Sequence, residues 1–304
     1  MKIAILSNGN ANYSTGRLKE VAEARGHEVK VIKYKNCFVS IDKNDPAVIY
    51  RGKKIDLKQF DAIVPRIANS MTRYGTSVVR QLEREGIFTT ASAIAIARSR
   101  DKLRATQILS RFVDIPKTVF SRNSTDIDEI IDELGGTPVI IKLASGTHGN
   151  GVVLAESRKM ARSALQAFYL NNDDGTNVLV QEFVKEAAGT DIRAFVVGGR
   201  VVASMKRQSL DDDFRSNLHK GGRGTAIKLT DEERKMAVKA AKAMGLAVAG
   251  VDLMRAARGP LVLEANASPG FGIEKITGRD VATPIIEYIE RNAKRGQKKD
   301  RVGA

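Results

Sequence analysis

Cysteine occurs once, at Cys37, histidine three times, and tryptophan not at all in these 304 residues. A lone thiol excludes an internal disulfide, and so few soft ligands exclude a Cys/His zinc cluster, so any metal must rest on oxygen ligands. Aromatics amount to 5%, which leaves few platforms on which bases could stack, and no nucleic-acid-binding motif accompanies them. No run approaches the ~20 apolar residues of a membrane span, and Met1 to Leu6 enters a strand without an export pattern, so a cytoplasmic protein with no membrane partner is expected. Acidic residues are the scarcer charge, 35 against 50 basic ones, giving +15. Residues 291–304 hold six basic residues and one acid, and without them the chain still stands at about +10. A basic body draws in anions, and nucleic acid, nucleotide phosphates, small di-acids and acidic peptides all qualify.

What is present is a 42% hydrophobic chain long enough for two or three domains of mixed α/β class. The apolar pattern predicts a βαβ opening, with a strand at 1–7, a helix at 17–25 and a strand at 28–34. A turn-linked pair around Arg51-Gly52-Lys53, a strand at 60–64, a helix at 76–85 and a strand at 87–90 complete a first domain over residues 1–93. Asn8-Gly9-Asn10 is no GxGxxG and reads as a tight turn. Residues 93–112 read as one long basic helix, in which Arg98, Arg100, Lys102, Arg104 and Arg111 interleave with apolar residues. A central unit, 94–177, follows with a helix at 126–134, strands at 138–143 and 152–156, a helix at 159–169 and a polar linker at 171–177. The last unit, 178–304, begins with strands at 178–184, 192–197 and 201–205, then a helix at 231–244. It ends with a hairpin of strands 248–254 and 261–265 and a helix at 283–295.

Three places carry chemistry. Lys142 interrupts the apolar run Val139–Leu143, and burying an ammonium is costly unless an anion satisfies it. The glycine-rich turn Gly146–Gly151 that follows could fold its N–H groups over phosphate oxygens, or it could be a long hairpin whose lysine faces solvent. A turn centred on Arg258 places Asp252 opposite Glu264, and like charges facing each other across two strands call for a cation between them. The period of two adds Asn266 on the same face, a hard-oxygen set suited to Mg²⁺, although a wet strand face would carry the same residues. Gln181, Glu182 and Phe183 could present an adenine-reading edge. Asp191 and Arg193 flank Ile192 as a salt-bridge pair, and Phe214 to Gly222 is either an anion cradle or a surface loop.

Taken in order, Asp101-Lys102-Leu103, Ile141-Lys142-Leu143 with its glycine turn, Val180-Gln181-Glu182-Phe183, Asp191-Ile192-Arg193, Asp213-Phe214-Arg215-Ser216-Asn217, Gly250-Val251-Asp252 and Glu264-Ala265-Asn266-Ala267-Ser268-Pro269-Gly270 resemble the ATP-grasp ligases, and within them the RimK family, across nearly the whole chain. The resemblance implies a pre-ATP-grasp domain followed by a two-lobed ATP-grasp domain. It also implies an ATP-dependent carboxylate–amine ligase that adds L-glutamate to the acidic C-terminal tail of a small-subunit ribosomal protein through an acyl phosphate. It implies ATP contacts from Lys102, Lys142, Gly149, Glu182, Phe183, Asp191, Arg215, Ser216 and Asn217. Two Mg²⁺ ions, with Mn²⁺ able to substitute, would sit on Asp252, Glu264 and Asn266, with Arg193, Arg215 and Asn266 catalytic, in a homo-oligomer. Two rivals stand beside this reading: a ligase or kinase of the same fold acting on a small cofactor precursor, and a nucleic-acid-binding protein. Where the family pattern runs Ser-Pro-Gly-Leu-Glu-Gly-Ile-Glu, this chain has Ser268-Pro269-Gly270-Phe271-Gly272-Ile273-Glu274, one residue shorter and lacking an acid, in a loop that the resemblance places near the acceptor.

Overall fold

The computed structural model describes residues 1–9, 12–56, 59–84, 86–122, 126–143, 151–170, 177–209 and 222–293. Strand β1 (Lys2–Ser7), helix α1 (Tyr13–Ala24) and β2 (Glu28–Lys33) form the expected βαβ unit, with the two strands parallel and Ile3 opposite Val29. Ile3, Ala4, Ile5 and Leu6 are all buried, because a central parallel strand is covered on both faces and needs a continuous apolar run. A small antiparallel sheet follows, made of β3 (Cys37–Ser40), β4 (Ala47–Tyr50) and β5 (Lys53–Lys54). Its two-residue turn puts Arg51 at φ 52° and Gly52 at φ 74°, the left-handed pair that a tight hairpin requires. Strand β6 (Ala62–Pro65), helix α2 (Thr72–Arg84) and β7 (Phe88–Thr89) complete the first sheet in the order β2-β1-β6-β7.

The long helix expected at 93–112 is two helices, α3 (Ala93–Arg100) and α4 (Lys102–Leu109). Asp101 leaves the helical region, with ψ 103°, and its carboxylate accepts the N–H of Arg104 at 3.0 Å. The preference of aspartate for an N-cap overrides the apolar periodicity that runs through it. The break sets Lys102 at the start of α4, from where its ammonium donates to the carbonyl of Leu143 at 2.7 Å.

The central unit contains β8 (Thr118–Ser121), α5 (Ile127–Glu133), β9 (Val139–Leu143), β10 (Val152–Ala155), α6 (Arg158–Leu170) and β11 (Val178–Glu182). Its antiparallel sheet runs β10-β9-β11-β8 and has a core of its own around Ile131, Val139, Ile141, Leu165 and Val180. Strand β11 therefore belongs to this sheet and carries it past residue 177. The last sheet, β14-β13-β12-β15-β16, is built from β12 (Thr190–Val197), β13 (Arg200–Gln208), β14 (Arg223–Ala226), β15 (Val248–Ala256) and β16 (Gly259–Asn266). Helix α7 (Asp231–Ala243) starts on a capping box between Thr230 and Glu233, and α8 (Gly272–Thr277) and α9 (Ala282–Asn292) close the chain.

Alternation along β12 divides this sheet between two cores. Ile192, Ala194 and Val196 join a cluster with Ile63 and Ile96 of the first unit, whereas Phe195 and Val197 pack with Ile5, Phe271 and Ile285. Asp191 and Arg193 share a face with Phe195 and Val197 by the period of two, so that face is apolar under α8 and α9 and charged beyond them. No helix among the described residues is long and apolar enough to cross a membrane.

Candidate active site

A ladder of charged side chains crosses the five-stranded sheet beyond α8 and α9, buried at Arg207, Asp191 and Asp252 and open to solvent at Glu264. Arg207 on β13 lies opposite Asp191 on β12, Arg193 on β12 opposite Asp252 on β15, and Asp252 opposite Glu264 on β16. Arg207 donates Nε and Nη2 to the two oxygens of Asp191 at 2.6 and 2.5 Å, and Nη2 reaches Asp252 at 2.7 Å. Arg193 grips Asp252 with Nε at 2.7 Å and Nη2 at 2.6 Å, and stands 4.0 Å from Glu264. Asp191 and Arg193 thus do not pair with each other. Residues two apart on a strand are farther from one another than from the residue directly across, so each reaches a neighbouring strand.

The facing of Asp252 and Glu264 is as expected, but its cause is different. The hairpin turns on two residues, pairing Ala256 with Gly259 and Leu253 with Val262, and a β-bulge between Asp252 and Leu253 shifts the register so that Asp252 meets Glu264. A bulge inserts one unpaired residue and so exchanges the faces beyond it. The cation that compensates the two carboxylates in the fold is the Arg193 guanidinium, because both oxygens of Asp252 are engaged by arginines. Burial alone would push the Asp252 carboxyl up, yet Arg193 and Arg207 outweigh it and hold the group down at about 2. Glu264 is half-exposed, and Asn266 donates its amide to one Glu264 oxygen at 2.8 Å. Oxygen ligands open to solvent are the donor set that fits Mg²⁺ completing its shell with water and phosphate.

The field at Glu264 is basic. Burial pushes the Lys142 ammonium down to about 8, against the pull of Glu264 and with Lys102 adding to the fall. The same burial lowers Lys102 and Arg100, again opposed by Glu264. Lys142 donates to the Gln181 side-chain oxygen at 2.6 Å, and Gln181 in turn donates to Thr118 at 2.8 Å. A neutral amide therefore orients an ammonium that has no carboxylate at ion-pair distance among the described residues. Lys142, Lys102, Asp191, Arg193, Asp252, Glu264 and Asn266 are thus gathered where the β9 end of the central sheet meets the charged half of the last one.

Glu182 is turned away. Its carboxylate accepts the N–H of Lys117 at 2.6 Å and pairs with Arg258 in the β15–β16 turn, and the neighbouring Phe183 is half-buried. Gly149, Arg215, Ser216 and Asn217, together with most of the glycine turn and the basic tail, lie outside the described residues. Gly250 holds the site close, because a Cβ there would lie 2.9 Å from Pro269 and 3.6 Å from Arg193 Nε. Arg207 and Arg66 escaped the reading of the sequence. Arg207 continues the inward alternation Ala203, Met205, Arg207 beyond the expected strand end, and Arg66 directly follows β6 at the carboxyl edge of a parallel sheet, where ligands gather.

Comparison with known proteins gives the relatives of this chain and of its fold. A RimK-like ATP-grasp domain model matches residues 99–289, and a RimK pre-ATP-grasp domain model matches residues 1–96. The chain is 55% identical over 304 residues to the "Probable alpha-L-glutamate ligase" of Picosynechococcus sp., with 99% of each chain covered. It is 54% identical over 303 residues to a protein of the same name from Teredinibacter turnerae, again with 99% of each covered. Among solved structures, the ATP-grasp ligase PsnB complexed with minimal precursor, Mg and ADP has a TM-score of 0.73 at 21% identity, covering 97% of this chain and 98% of that one. A RimK domain protein ATP-grasp from Sphaerobacter thermophilus has a TM-score of 0.71 at 20% identity, covering 94% and 98%. These two likenesses are of fold.

Proposed function

The chain belongs to the RimK-like ATP-grasp family, and from that premise we propose that it joins L-glutamate to the C-terminal carboxylate of an acidic protein tail, such as that of a small-subunit ribosomal protein, using ATP and Mg²⁺. The family makes it an ATP-dependent carboxylate–amine ligase. One observation carries most of the reading: the ladder of charges ends at half-exposed Glu264, and the charge of Glu264 acts on Lys102, Lys142 and Arg100. Such a site suits a polyanion held by half-buried cations and faced by oxygen ligands.

In the proposed reaction a carboxylate oxygen of the acceptor attacks the γ-phosphorus, ADP leaves, and the acyl phosphate is attacked by the glutamate amine. Inorganic phosphate departs, an amide forms, and the amine gives up a proton. Lys102 and Lys142 hold the transferring phosphoryl charge, and Arg193 is aimed at the reacting end by its grip on Asp252. Glu264 and Asn266 would hold Mg²⁺, joined by Asp252 once Arg193 releases an oxygen, and the ion supplies charge neutralisation at the phosphates. Incubation with ATP, Mg²⁺, glutamate and a peptide ending in two glutamates should produce ADP and mass increments of one glutamate residue. An inert peptide alongside a ligated small di-acid would transfer the chemistry to a small-molecule acceptor. Because the basic body carries distributed, exposed charge, 0.5 M salt should raise the KM for that peptide several-fold more than the KM for ATP.

Lys142 provides a sharper check. Its ammonium, at about 8 in the free protein, is largely unprotonated at pH 9, and a bound phosphate favours the charged form, so binding ATP at that pH should take up nearly one proton. Calorimetry in buffers of different ionisation enthalpy reads this directly. Uptake should vanish at pH 7 and in Lys142→Met, whose affinity for ATP should fall by roughly thirtyfold, about 2 kcal/mol for a lost charge-assisted contact. Equal proton uptake by the variant would remove Lys142 from the phosphate site.

A further inference from the structure

Arg66 and Arg100 form a second cationic centre beside the one just described. Arg66 follows β6, donates Nη2 to the carbonyl of Pro269 at 2.7 Å, and lies over the Phe271 ring at 5.1 Å. Arg100 ends α3 and donates Nη2 to the carbonyl of Ile67 at 3.0 Å, the residue after Arg66. Each guanidinium is thus pinned by one nitrogen to a backbone carbonyl, and neither has a carboxylate at ion-pair distance among the described residues. Arg100 Nε and the Ser268 hydroxyl are buried with no hydrogen-bond partner. The loop that supplies Pro269 and Phe271 runs Gly270-Phe271-Gly272 and contains no acid that could neutralise Arg66.

Buried donors without acceptors and neighbouring like charges without a counter-ion are each unfavourable, and an incoming anion relieves both. Burial pushes Arg66 down to about 10, with Arg100 adding to the fall, and it lowers Arg100 against the pull of Glu264. Arg66 therefore feels Arg100, which in turn is drawn by Glu264. A planar guanidinium with free N–H groups matches a carboxylate fork, and the cation–π contact with Phe271 helps to hold Arg66 in place.

We propose that Arg66, Arg100 and the Ser268 hydroxyl form a carboxylate subsite that takes the non-reacting acid group of an amino-acid or peptide substrate while the reacting group lies beside Glu264. The subsite gives the ligase reading above, on which it rests, a basis for selecting acids over amides. Either the incoming glutamate or a side chain of the acceptor tail supplies that carboxylate.

Calorimetric titration separates the two and does not depend on turnover. L-glutamate, L-glutamine and a peptide ending in two glutamates are titrated into the ATP-analogue-loaded protein, as parent, Arg66→Met, Arg66→Lys and Arg100→Met. At least one acidic ligand should bind the parent, and its affinity should fall by at least about tenfold in both Met variants. Arg66→Lys should recover part of the loss, glutamine should bind weakly throughout, and the nucleotide affinity and thermal midpoint of the two Arg66 variants should hold. A loss confined to free glutamate assigns the subsite to the incoming amino acid, and a loss confined to the peptide assigns it to the acceptor. Unchanged affinity for both acids in the Met variants, or no binding of either by the parent, overturns the subsite and leaves the arginines as braces. A parent that binds acids through Arg66 yet forms no ADP would keep the subsite and remove the ligase substrates proposed above.

Discussion

Arg207→Met should unfold about 3 kcal/mol more readily than the parent protein at pH 7, a larger loss than any exposed ion pair could cause. Arg207 is 4% exposed and gives charged hydrogen bonds to both Asp191 and Asp252, themselves buried. Its removal takes a counter-ion from two carboxylates already out of water, and their desolvation then has only partial compensation from Arg193. The direction with pH follows from Asp252, whose folded value is held down at about 2. A depressed carboxyl contributes stability above its unfolded value, near 4, and that stability is lost as pH falls towards 2. Without Arg207, burial raises the group towards protonation, so the gap between variant and parent should narrow between pH 7 and pH 4. Urea unfolding at the two pH values measures this, and equal stability at pH 7 would show the ladder to be dispensable to the fold.

The ladder also shows where sequence reading stops. The parallel βαβ opening was legible because Ile3 to Leu6 form an unbroken apolar run, and the terminal hairpin because two apolar-rich runs flank a short polar turn at Arg258-Gly259. Asp252 opposite Glu264 was found by counting from Arg258, yet the match arises from a bulge that the count did not contain. A local insertion is invisible to periodicity because only the partner strand reveals it. The break at Asp101 was written in the sequence as a capping residue inside an apolar pattern, and two local rules competed there. Arg207 was hidden by a strand end placed at Met205. Arg66 and Arg100 come together only through tertiary packing, since β6 and α3 are separated by α2 and β7.

Folding and chemistry part company at the far end of the ladder. Glu264 is half-exposed, and among the described residues its side chain accepts one hydrogen bond, from the Asn266 amide at 2.8 Å on Oε1, an acceptor that glutamine also carries. Glu264→Gln should therefore change stability by no more than about 0.5 kcal/mol. Its turnover should fall by roughly two to three orders of magnitude or more, as for removal of a group that stabilises transition-state charge. Two causes contribute. A carboxylate ligand for Mg²⁺ becomes a neutral amide, and the negative charge that supports the ammonium form of Lys142 and Lys102 disappears. The second cause predicts that Lys142 drops below its value of about 8, so the variant should lose nucleotide affinity as pH rises through 7 to 8, earlier than the parent. The first predicts that raising Mg²⁺ no longer restores ADP release at pH 6.5, where Lys142 is charged in both proteins. Measuring ADP formation against Mg²⁺ at pH 6.5 and 8.5 separates them, and a variant that keeps most of its Mg²⁺-dependent turnover at the lower pH would take Glu264 out of the metal site and leave it an electrostatic role alone.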